Sequence, residues 1–434
     1  MELLELFSLL LTCAAVFSFI NAKWLKLPTT IGLMVVALLF SLGLIGAGKY
    51  YPGLLDHAER LVAEINFTET LMEGMLGFLL FAGALHINLE DLKREKWPIA
   101  ILATLGVVLS TLFVAGLSWV VFWGLDIGIQ PIYCLLFGAL ISPTDPIAVL
   151  SILKSVGAPK ELETRIAGES LFNDGVGVVI FLGIWEIASG EHGFDPQHLA
   201  VLFLQEAVGG VVFGLLIGYV GYLMLRSLDN YSVEILISLA MVAGGYSLAH
   251  HLHISGPIAM VCAGLLIGNH GRSFAMSQQT IENLDRFWEL IDEILNSVLF
   301  VLIGLEVLIL EFNARHLTAA ALLVPAVLLA RYAAIKLPLS RLDDWYKFHP
   351  KTVQILTWGG LRGGISVALA LSIGRTTEEG HPIHERDLLI AVTYVIVVFS
   401  IIVQGLTIGP YTRWALNIKT PKPEPENADS CPLN

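Results

Sequence analysis

Ser142-Pro143-Thr144-Asp145-Pro146 is the stretch of the sequence that decides the fold, since it sets an aspartate between two prolines inside an apolar run. Proline cannot donate the helical hydrogen bond, so a helix that contains both prolines is expected to unwind here. An ionisable side chain at the centre of a bilayer costs at least about 2.5–3.5 kcal/mol, and such residues usually face a cavity or an ion pathway. The stretch therefore predicts a membrane helix that is broken at a functional charge.

The composition of the whole chain indicates a membrane protein. Of its 434 residues, 55% are hydrophobic and 15% are charged, whereas an ordinary soluble domain has about 25% charged residues. The mean hydropathy is +0.73. Residues 97–125 and 388–412 contain no Asp, Glu, Lys or Arg, and each run exceeds the roughly 20 residues that span a bilayer. We therefore expect an all-α, polytopic membrane protein.

The apolar runs predict about thirteen membrane-spanning helices, which we call segments 1–13. In order, they cover residues 2–22, 28–47, 68–87, 97–124, 131–154, 162–189, 198–225, 231–250, 254–270, 290–312, 316–337, 350–374 and 386–412. Residues 271–289 have the pattern of an amphipathic helix that lies on the membrane surface. The proline-containing tail, residues 415–434, is typical of a disordered region.

The positions of Lys and Arg predict the orientation of these segments. With the N-terminus outside, nineteen basic residues fall in the inner loops, helix ends and tail, and five fall on the outer side. Arg362, inside segment 12, is the remaining one of the 25. Since cytoplasmic loops carry an excess of Lys and Arg, we expect an outer N-terminus, a cytoplasmic C-terminus and an odd number of segments.

A second break is predicted in segment 12, where Gly359-Gly360-Leu361-Arg362-Gly363-Gly364 combines four glycines with an arginine. If segments 1–6 and 8–13 are two repeats, segments 5 and 12 are the fifth member of each, and the odd step of seven inverts the second repeat. Paired broken helices at matching positions indicate a transporter binding site near the middle of the membrane. We thus expect two inverted six-helix repeats in which segments 5 and 12 cross.

Segment 6 carries a second membrane aspartate, Asp174, among other polar residues. Ser170 lies four residues before Asp174 on the same helix face, and Glu169 and Asn173 share the adjacent face. A hard cation such as Na⁺ prefers several oxygen ligands. Four residues of segments 5 and 6 are therefore candidate ligands of a monovalent cation: Asp174, Asp145, Ser170 and Thr144. Such carboxylates hold either a cation or a proton, and this competition yields exchange if the empty charged site does not cross the membrane.

Arg362 needs a partner at membrane depth, because an isolated buried charge is costly. Glu169 is the best candidate, since it is the other strong charge near the same level. We expect this pair to brace segment 12 against segment 6. A functional alternative, in which Arg362 tunes Asp174, stays open.

Three motifs resemble those of the monovalent cation/proton antiporter family, in particular its NhaP/NHE branch of electroneutral sodium/proton antiporters. They are Thr144-Asp145-Pro146, Glu169-Ser170-Leu171-Phe172-Asn173-Asp174 and Gly360-Leu361-Arg362-Gly363. The resemblance covers the whole membrane region. It implies a secondary transporter, not an enzyme, that exchanges Na⁺ for H⁺ by alternating access, with Li⁺ or K⁺ as alternative cations and no cofactor.

The resemblance also implies roles for the candidate residues. Asp174 would be the main ion-binding and proton-carrying residue of the ligand set given above. Asn173 would hold the unwound segment 5, and Glu169 and Arg362 would form a stabilising ion pair. The electrogenic branch of the family has Asp-Asp where this chain has Asn173-Asp174, which implies one-for-one exchange.

Family members are homodimers with a moving core domain and a fixed dimer domain. The resemblance therefore implies dimer-domain segments 1–2 in residues 1–67, core segments 3–6 in 68–190, linker segment 7 with dimer-domain segments 8–9 and the amphipathic stretch in 191–289, core segments 10–13 in 290–414, and a cytoplasmic tail in 415–434. It implies the inner membrane of a bacterium as the location. The expected partners are Na⁺, H⁺, the lipid bilayer and a second copy of the chain, but no nucleic acid.

One departure from the family pattern concerns segment 3. Some relatives place an acidic residue there near the ion site, whereas residues 81–86 of this chain contain none. Glu73 is on the same segment, but the sequence does not fix its depth.

Two alternatives from other classes remain open at the level of sequence. Two membrane aspartates that share a proton also suit an intramembrane aspartyl protease. A cation channel would use the same oxygen ligands without coupled proton movement. The protease would leave Arg362, the paired helix breaks and the thirteen segments unexplained.

Overall fold

The structure, a computed structural model, describes residues 3–190, 195–346, 348–376 and 381–418. Within these ranges the chain is almost entirely helical. This described part of the chain contains two isolated β-bridges and no β-strand. The expectation of an all-α fold is confirmed. The predicted disordered tail lies almost wholly outside the described residues.

The helices follow the predicted segments closely. In chain order they are Leu3–Ile20 (segment 1), Thr29–Gly48 (segment 2), Pro52–Ala63, Phe67–Leu85 (segment 3), Leu89–Arg94, Lys96–Gly124 (segment 4), Pro131–Ile141 and Ile147–Val156 (segment 5), Lys160–Ser189 (segment 6), Pro196–Arg226 (segment 7), Tyr231–His251 (segment 8), Gly256–Leu266 (segment 9), Arg272–Phe274, Gln278–Glu306 (segment 10), Ala314–Tyr346 (segment 11), Thr352–Gly359 and Gly364–Leu371 (segment 12), and Arg386–Leu416 (segment 13). Turns of π-helix extend or interrupt segments 1, 3, 4, 9 and 13 at Asn21–Leu25, Thr70–Met75, Leu102–Gly106, Ile267–Gly271 and Ser400–Gln404.

Nine helices in the described part of the chain are long and apolar enough to cross a membrane. They correspond to segments 1–4, 6–8, 11 and 13. Segments 5 and 12 are each split in two, segment 9 is short before its π-helical turn, and segment 10 carries several charges. The number of thirteen spans and the inverted repeat therefore stay predictions.

The prediction of a separate surface helix over residues 271–289 is wrong. Residues 278–289 belong to the same helix as segment 10, which runs without interruption over Gln278–Glu306. Ser277 caps its start, since its side chain accepts a hydrogen bond from the Thr280 N–H. No Gly or Pro occurs between Gln278 and Gly304 that would end the helix. The amphipathic helix Pro52–Ala63, between segments 2 and 3, was not predicted.

The segments pack into two groups. The frame group contains segments 1–3 and 7–10, and the bundle group contains segments 4–6 and 11–13. Segment 3 packs mainly against segments 9 and 10, and segment 10 mainly against segment 2. Both had been expected in the moving core, so the contacts favour a different grouping. The division into moving and fixed domains concerns motion and stays a prediction.

A glycine stripe on segment 7 makes one of these contacts close. Gly210 and Gly218 lie against the backbone of segment 9, where an added Cβ would come 2.8 Å from the Ser255 carbonyl oxygen and 3.1 Å from the Ala263 Cα. Gly214, between them, meets Ala259 in the same way. Small residues at four-residue spacing let two helix backbones approach closely in a membrane.

Candidate functional site

The break in segment 5 covers Ser142–Pro146, between the two halves of the helix. The Ser142 hydroxyl donates to the Gly138 carbonyl oxygen at 2.6 Å, within the first half. The Asp145 Oδ1 accepts a hydrogen bond from the Ile147 N–H at 2.9 Å, at the start of the second half. The break is therefore an ordered turn that holds the carboxylate of Asp145 in place.

Segment 12 is broken at Gly360–Gly363 and crosses the break of segment 5. The Asp145 N–H donates to the Leu361 carbonyl oxygen at 2.8 Å, and the two residues form an isolated antiparallel bridge. Gly363 lies so close that an added Cβ would be 2.6 Å from the Asp145 Cβ. The predicted crossing of two broken helices is confirmed.

Arg362 is buried behind this crossing, with 2% of its surface exposed. Its Nη1 donates to the carbonyl oxygens of Ser142 at 2.6 Å and Pro143 at 3.2 Å. These carbonyls lie where the first half of segment 5 ends and its partial negative charge gathers. Arg362 therefore stabilises the backbone that the break leaves without helical partners.

Glu169 pairs with a different arginine from the one expected. Its Oε1 lies 2.5 Å from the Nη1 of Arg331 on segment 11, and both side chains are buried. Among the described residues no ion pair joins Glu169 to Arg362, so the prediction of that direct pair is wrong. Gly360 makes room for the new partner, because an added Cβ there would be 2.8 Å from the Arg331 Nε.

Segment 6 passes the break as one continuous helix and fixes Thr144 from two sides. The Asn173 Nδ2 donates to the Thr144 Oγ1 at 2.8 Å, and the Thr144 N–H donates to the Asn173 Oδ1 at 3.3 Å. The Thr144 and Ser170 hydroxyls are hydrogen-bonded at 3.0 Å. The three side chains are almost fully buried.

A cavity of about 1010 Å³ reaches this region from one side of the protein. Thr144, Asp145 and Asp174 line it together, which brings the two membrane aspartates from different segments to one site. Ser170 lies behind Thr144 and does not line the cavity, nor do the other three predicted site residues: Asn173, Glu169 and Arg362.

The arrangement provides two carboxylates and a hydroxyl at the inner end of a cavity wide enough for water, beside an unwound backbone. A family model described as sodium/hydrogen exchanger, transmembrane, matches residues 8–414, which is nearly the whole membrane region. The chain belongs to the sodium/hydrogen exchanger family.

Curated members of the exchanger family are similar to this chain over almost its full length. The Na⁺/H⁺ antiporter NhaP of Pseudomonas aeruginosa is 49% identical over 420 residues, covering 95% of this chain and 96% of that protein. The Na⁺/H⁺ antiporter NhaH of Halobacillus dabanensis is 34% identical over 410 residues, covering 93% and 96%. The chain thus spans essentially the whole of both relatives.

Solved structures agree in fold. The structure of the sodium proton antiporter MjNhaP1 from Methanocaldococcus jannaschii matches with a TM-score of 0.75 and 21% sequence identity, covering 96% of this chain and 99% of that one. At this identity the match concerns the fold alone. It supports the overall arrangement of helices described above.

Within this exchanger-family fold, the cavity also contains residues that the sequence analysis missed. Asp292 and Asn296 reach it from segment 10, and Ser366 reaches it from segment 12. Segment 10 had been expected to begin at residue 290, which placed Asp292 in its first turn, close to the membrane surface. The helix begins twelve residues earlier, at Gln278, so the absence of any helix breaker over 278–303 was the signal that could have located Asp292 inside the helix.

Segment 3 supplies no carboxylate to the site. Glu73 is exposed and does not line the cavity. His86, at the end of segment 3, does line it. The acidic groups near the site therefore come from segments 5, 6 and 10.

Proposed function

We propose that this chain is a secondary transporter that exchanges Na⁺ for H⁺ at the site formed by Asp145 and Asp174. The observation that carries the proposal is the meeting of two membrane-depth carboxylates at the crossing of two broken helices, at the inner end of one cavity. Broken helices that face a water-filled cavity are how transporters bring backbone and carboxylate oxygens to an ion. The names of the relatives, Na⁺/H⁺ antiporters, agree with this chemistry.

Asp174 is the main ion-binding and proton-carrying residue in this proposal. Asp145 supplies the second carboxylate and Thr144 supplies a hydroxyl oxygen, which keeps one lone pair when it donates to Ser170 and accepts from Asn173. Ser170, which lies behind Thr144, builds the site by accepting that hydrogen bond. Asn173 keeps Thr144 in position. No bound cofactor takes part.

Two arginines support this site from behind the cavity. Arg362 binds the freed carbonyls of segment 5, and Arg331 neutralises Glu169. Neither arginine lines the cavity, so neither competes directly with a cation there. We assign both residues, with Glu169 and Asn173, to stabilising the site.

Exchange follows from competition. A Na⁺ and a single proton occupy the site in turn, and only the occupied site, which has the same net charge with either ion, moves across the membrane. Asn173, uncharged and hydrogen-bonded to Thr144, adds no third charge to the carboxylates. We therefore propose one-for-one, electroneutral exchange, which forgoes the roughly 2.3 kcal/mol per 100 mV that a moving net charge would gain.

The cavity opens on the side that the basic residues assign to the cytoplasm. Its mouth is lined by Asn88, Asp91, Lys154, Lys160 and Glu163, at the ends of segments 3, 5 and 6. In this proposal we therefore assign the structure to the inward-facing state. Access from the other side requires the bundle group to move against the frame group.

On the opposite side, hydrogen bonds join the two groups. The Thr68 hydroxyl of segment 3 donates to the Ala368 carbonyl oxygen of segment 12 at 3.1 Å. The Tyr394 hydroxyl of segment 13 donates to the Ile303 carbonyl oxygen of segment 10 at 2.9 Å. In the proposed cycle both bonds break when the outer side opens. We further place the protein as a homodimer in the bacterial inner membrane, with its N-terminus outside.

The test is a luminal pH recording from proteoliposomes that receive a Na⁺ jump, first at zero potential and then at −100 mV. We expect a pH change that needs Na⁺ and has the same rate at both potentials. Asp174→Ala should abolish it while the purified protein keeps its size and its melting temperature. The matched control is Asp229→Ala, which removes an exposed carboxylate outside the cavity and should exchange normally.

Three outcomes would count against parts of the proposal. Undiminished exchange in Asp174→Ala would remove Asp174 from its role. A rate that follows the membrane potential would overturn the one-for-one stoichiometry. Ion flux without any pH change would replace the antiporter with a channel.

A further inference from the structure

The wall of the cavity formed by segment 10 carries polar atoms that the exchange site does not use. Asn296 is 3% exposed, lines the cavity, and its Oδ1 has no hydrogen-bond partner. Ser366, on segment 12, is 1% exposed, lines the same cavity, and its Oγ likewise has no partner. A buried oxygen without a donor is unfavourable unless something else satisfies it, so each such atom needs an explanation.

Asp292 lies one helical turn before Asn296 on the same face of segment 10. Four residues correspond to a rise of about 6 Å, so both side chains point to the same part of the cavity wall. The Asp292 carboxylate lines the same cavity as the carboxylate of Asp145 on segment 5. A carboxylate and two unpartnered oxygens thus border the cavity that leads to Asp174.

We propose that Asp292, Asn296 and Ser366 form a second, weaker binding site for a monovalent cation, in the wall of the cavity beside the exchange site. Carboxylate, amide and hydroxyl oxygens are the ligands that hard cations take, and water within the cavity supplies the others. The site rests on the proposed exchange function and deepens it, because it holds a cation in the cavity that leads to Asp174.

The second site depends on the conformation of the protein, because its ligands come from both groups of segments. Asp292 and Asn296 belong to the frame group, whereas Ser366 belongs to the bundle group. The two segments adjoin here, since an added Cβ at Gly364 would be 2.6 Å from the Leu299 side chain. The complete ligand set therefore exists while the cavity is open to this side, and it separates when the groups move.

Direct binding tests the second site apart from exchange. We would measure sodium NMR line broadening with the purified full-length chain carrying Asp174→Ala, which removes the main ligand of the exchange site. We expect this variant to keep a weak, saturable Na⁺ binding that the double variant with Asp292→Asn loses. Asn296→Asp, which adds a charge, should strengthen the binding, so the prediction does not depend on one variant. The matched control is Glu282→Gln, on the exposed face of the same helix, which should leave the binding unchanged.

Measurement of transport gives a second test of the proposed cation site. In otherwise native protein, Asp292→Asn should raise the apparent KM for Na⁺ about tenfold, equivalent to about 1.4 kcal/mol, with a smaller effect on the maximal rate. Loss of all Na⁺ binding in Asp174→Ala, with exchange intact in the native chain, would overturn the second site alone. Absence of exchange in the native chain would overturn the proposed function instead. Equal binding with and without Asp292→Asn would also overturn the second site.

Discussion

The backbone N–H of Asp145 is hydrogen-bonded to the carbonyl oxygen of Leu361 at 2.8 Å, although the two residues belong to different broken helices. This bond is the point at which segments 5 and 12 meet. On the Asp145 side it places a carboxylate in the cavity, and on the Leu361 side it places the next residue, Arg362, against the carbonyls of segment 5. The proposed ion site and the arginine that supports it thus lie on two sides of one crossing.

Gly363→Ala tests how tightly this crossing is packed. The backbone at Gly363 has φ −122°, which any residue adopts, so the effect will come from contact and not from strain. The new Cβ would lie 2.6 Å from the Asp145 Cβ and Oδ2. We expect a loss of about 1–3 kcal/mol of stability and a marked loss of exchange. Melting temperature and proteoliposome exchange measure the two effects.

The matched control is Gly244→Ala on segment 8, where an added Cβ meets nothing within 4 Å. This variant should exchange normally and melt no lower than the native chain. A Gly363→Ala protein with native activity and stability would mean that the two breaks are not in close contact.

Arg331→Met tests the pairing of Glu169. Removing one partner leaves a buried charge uncompensated, which we expect to cost about 3–5 kcal/mol. The double variant with Glu169→Gln should melt higher than Arg331→Met alone, because no charge is then left without a partner. If Arg362 were the true partner, Arg331→Met would be nearly neutral and the double variant would be the less stable of the two.

Asn173→Ala tests how the break in segment 5 is held. The change removes the donor to the Thr144 Oγ1 and the acceptor of the Thr144 N–H. Since both groups of Thr144 are buried, we expect a loss of about 1–3 kcal/mol in stability, together with weaker Na⁺ binding. Asn283→Ala, which removes a side chain that bonds only to its own helix at Gln279, is the control and should have little effect. Melting curves and the KM for Na⁺ would show the difference.

The apparent KM for Na⁺ should depend on pH in a defined direction. At lower pH more of the site holds a proton, and a Na⁺ must displace it, so the KM should rise as the pH falls. If one Na⁺ displaces one proton, the rise is about tenfold per pH unit in the range where the site is mostly protonated. Initial rates in proteoliposomes over a grid of Na⁺ and pH would give this slope. A KM that stays constant while the maximal rate changes would show that the two ions do not share a site.

Tyr394→Phe tests the closure of the side opposite the cavity mouth. It removes the hydroxyl that joins segment 13 to segment 10 at Ile303 while keeping the ring. A hydrogen bond contributes about 0.5–1.5 kcal/mol, so the population of the state open on that side should rise severalfold. Exchange of the backbone amide hydrogens of residues 364–371, the second half of segment 12, should become faster because this half lies at the side that opens. Tyr219→Phe, at an exposed position on segment 7, is the control, and equal exchange in both variants would contradict the prediction.

The sequence was enough to predict the features that depend on local chemistry. Two prolines in segment 5 and four glycines in segment 12 predicted the breaks, and an aspartate within each of the apolar segments 5 and 6 indicated the candidate site. Features that depend on packing between distant segments were missed. Arg331 and Arg362 both lie at membrane depth, and only the position of segment 11 decides which of them reaches Glu169.

Helix boundaries account for the other omission. Segment 10 is polar over its first turns and apolar over its last ones, so a hydropathy reading divided it near residue 290. Trp288, fully buried and hydrogen-bonded to the Ser238 hydroxyl at 3.0 Å, shows that the polar half is packed against segment 8. Asp292 thereby lies within a supported helix and faces the cavity.

The crossing of segments 5 and 12 has a consequence for how the chain is made. Segment 5 leaves the ribosome long before segment 12, and until then the Asp145 N–H and the Ser142 carbonyl lack the partners that they have in the finished protein. Unpaired backbone groups are costly in lipid, so the early segment has to keep water or other helices at its break while synthesis continues. We therefore expect the first half of the chain to be incompletely packed, and sensitive to proteases, during synthesis. It reaches its final packing only when Leu361 and Arg362 have been made and bind the break in segment 5.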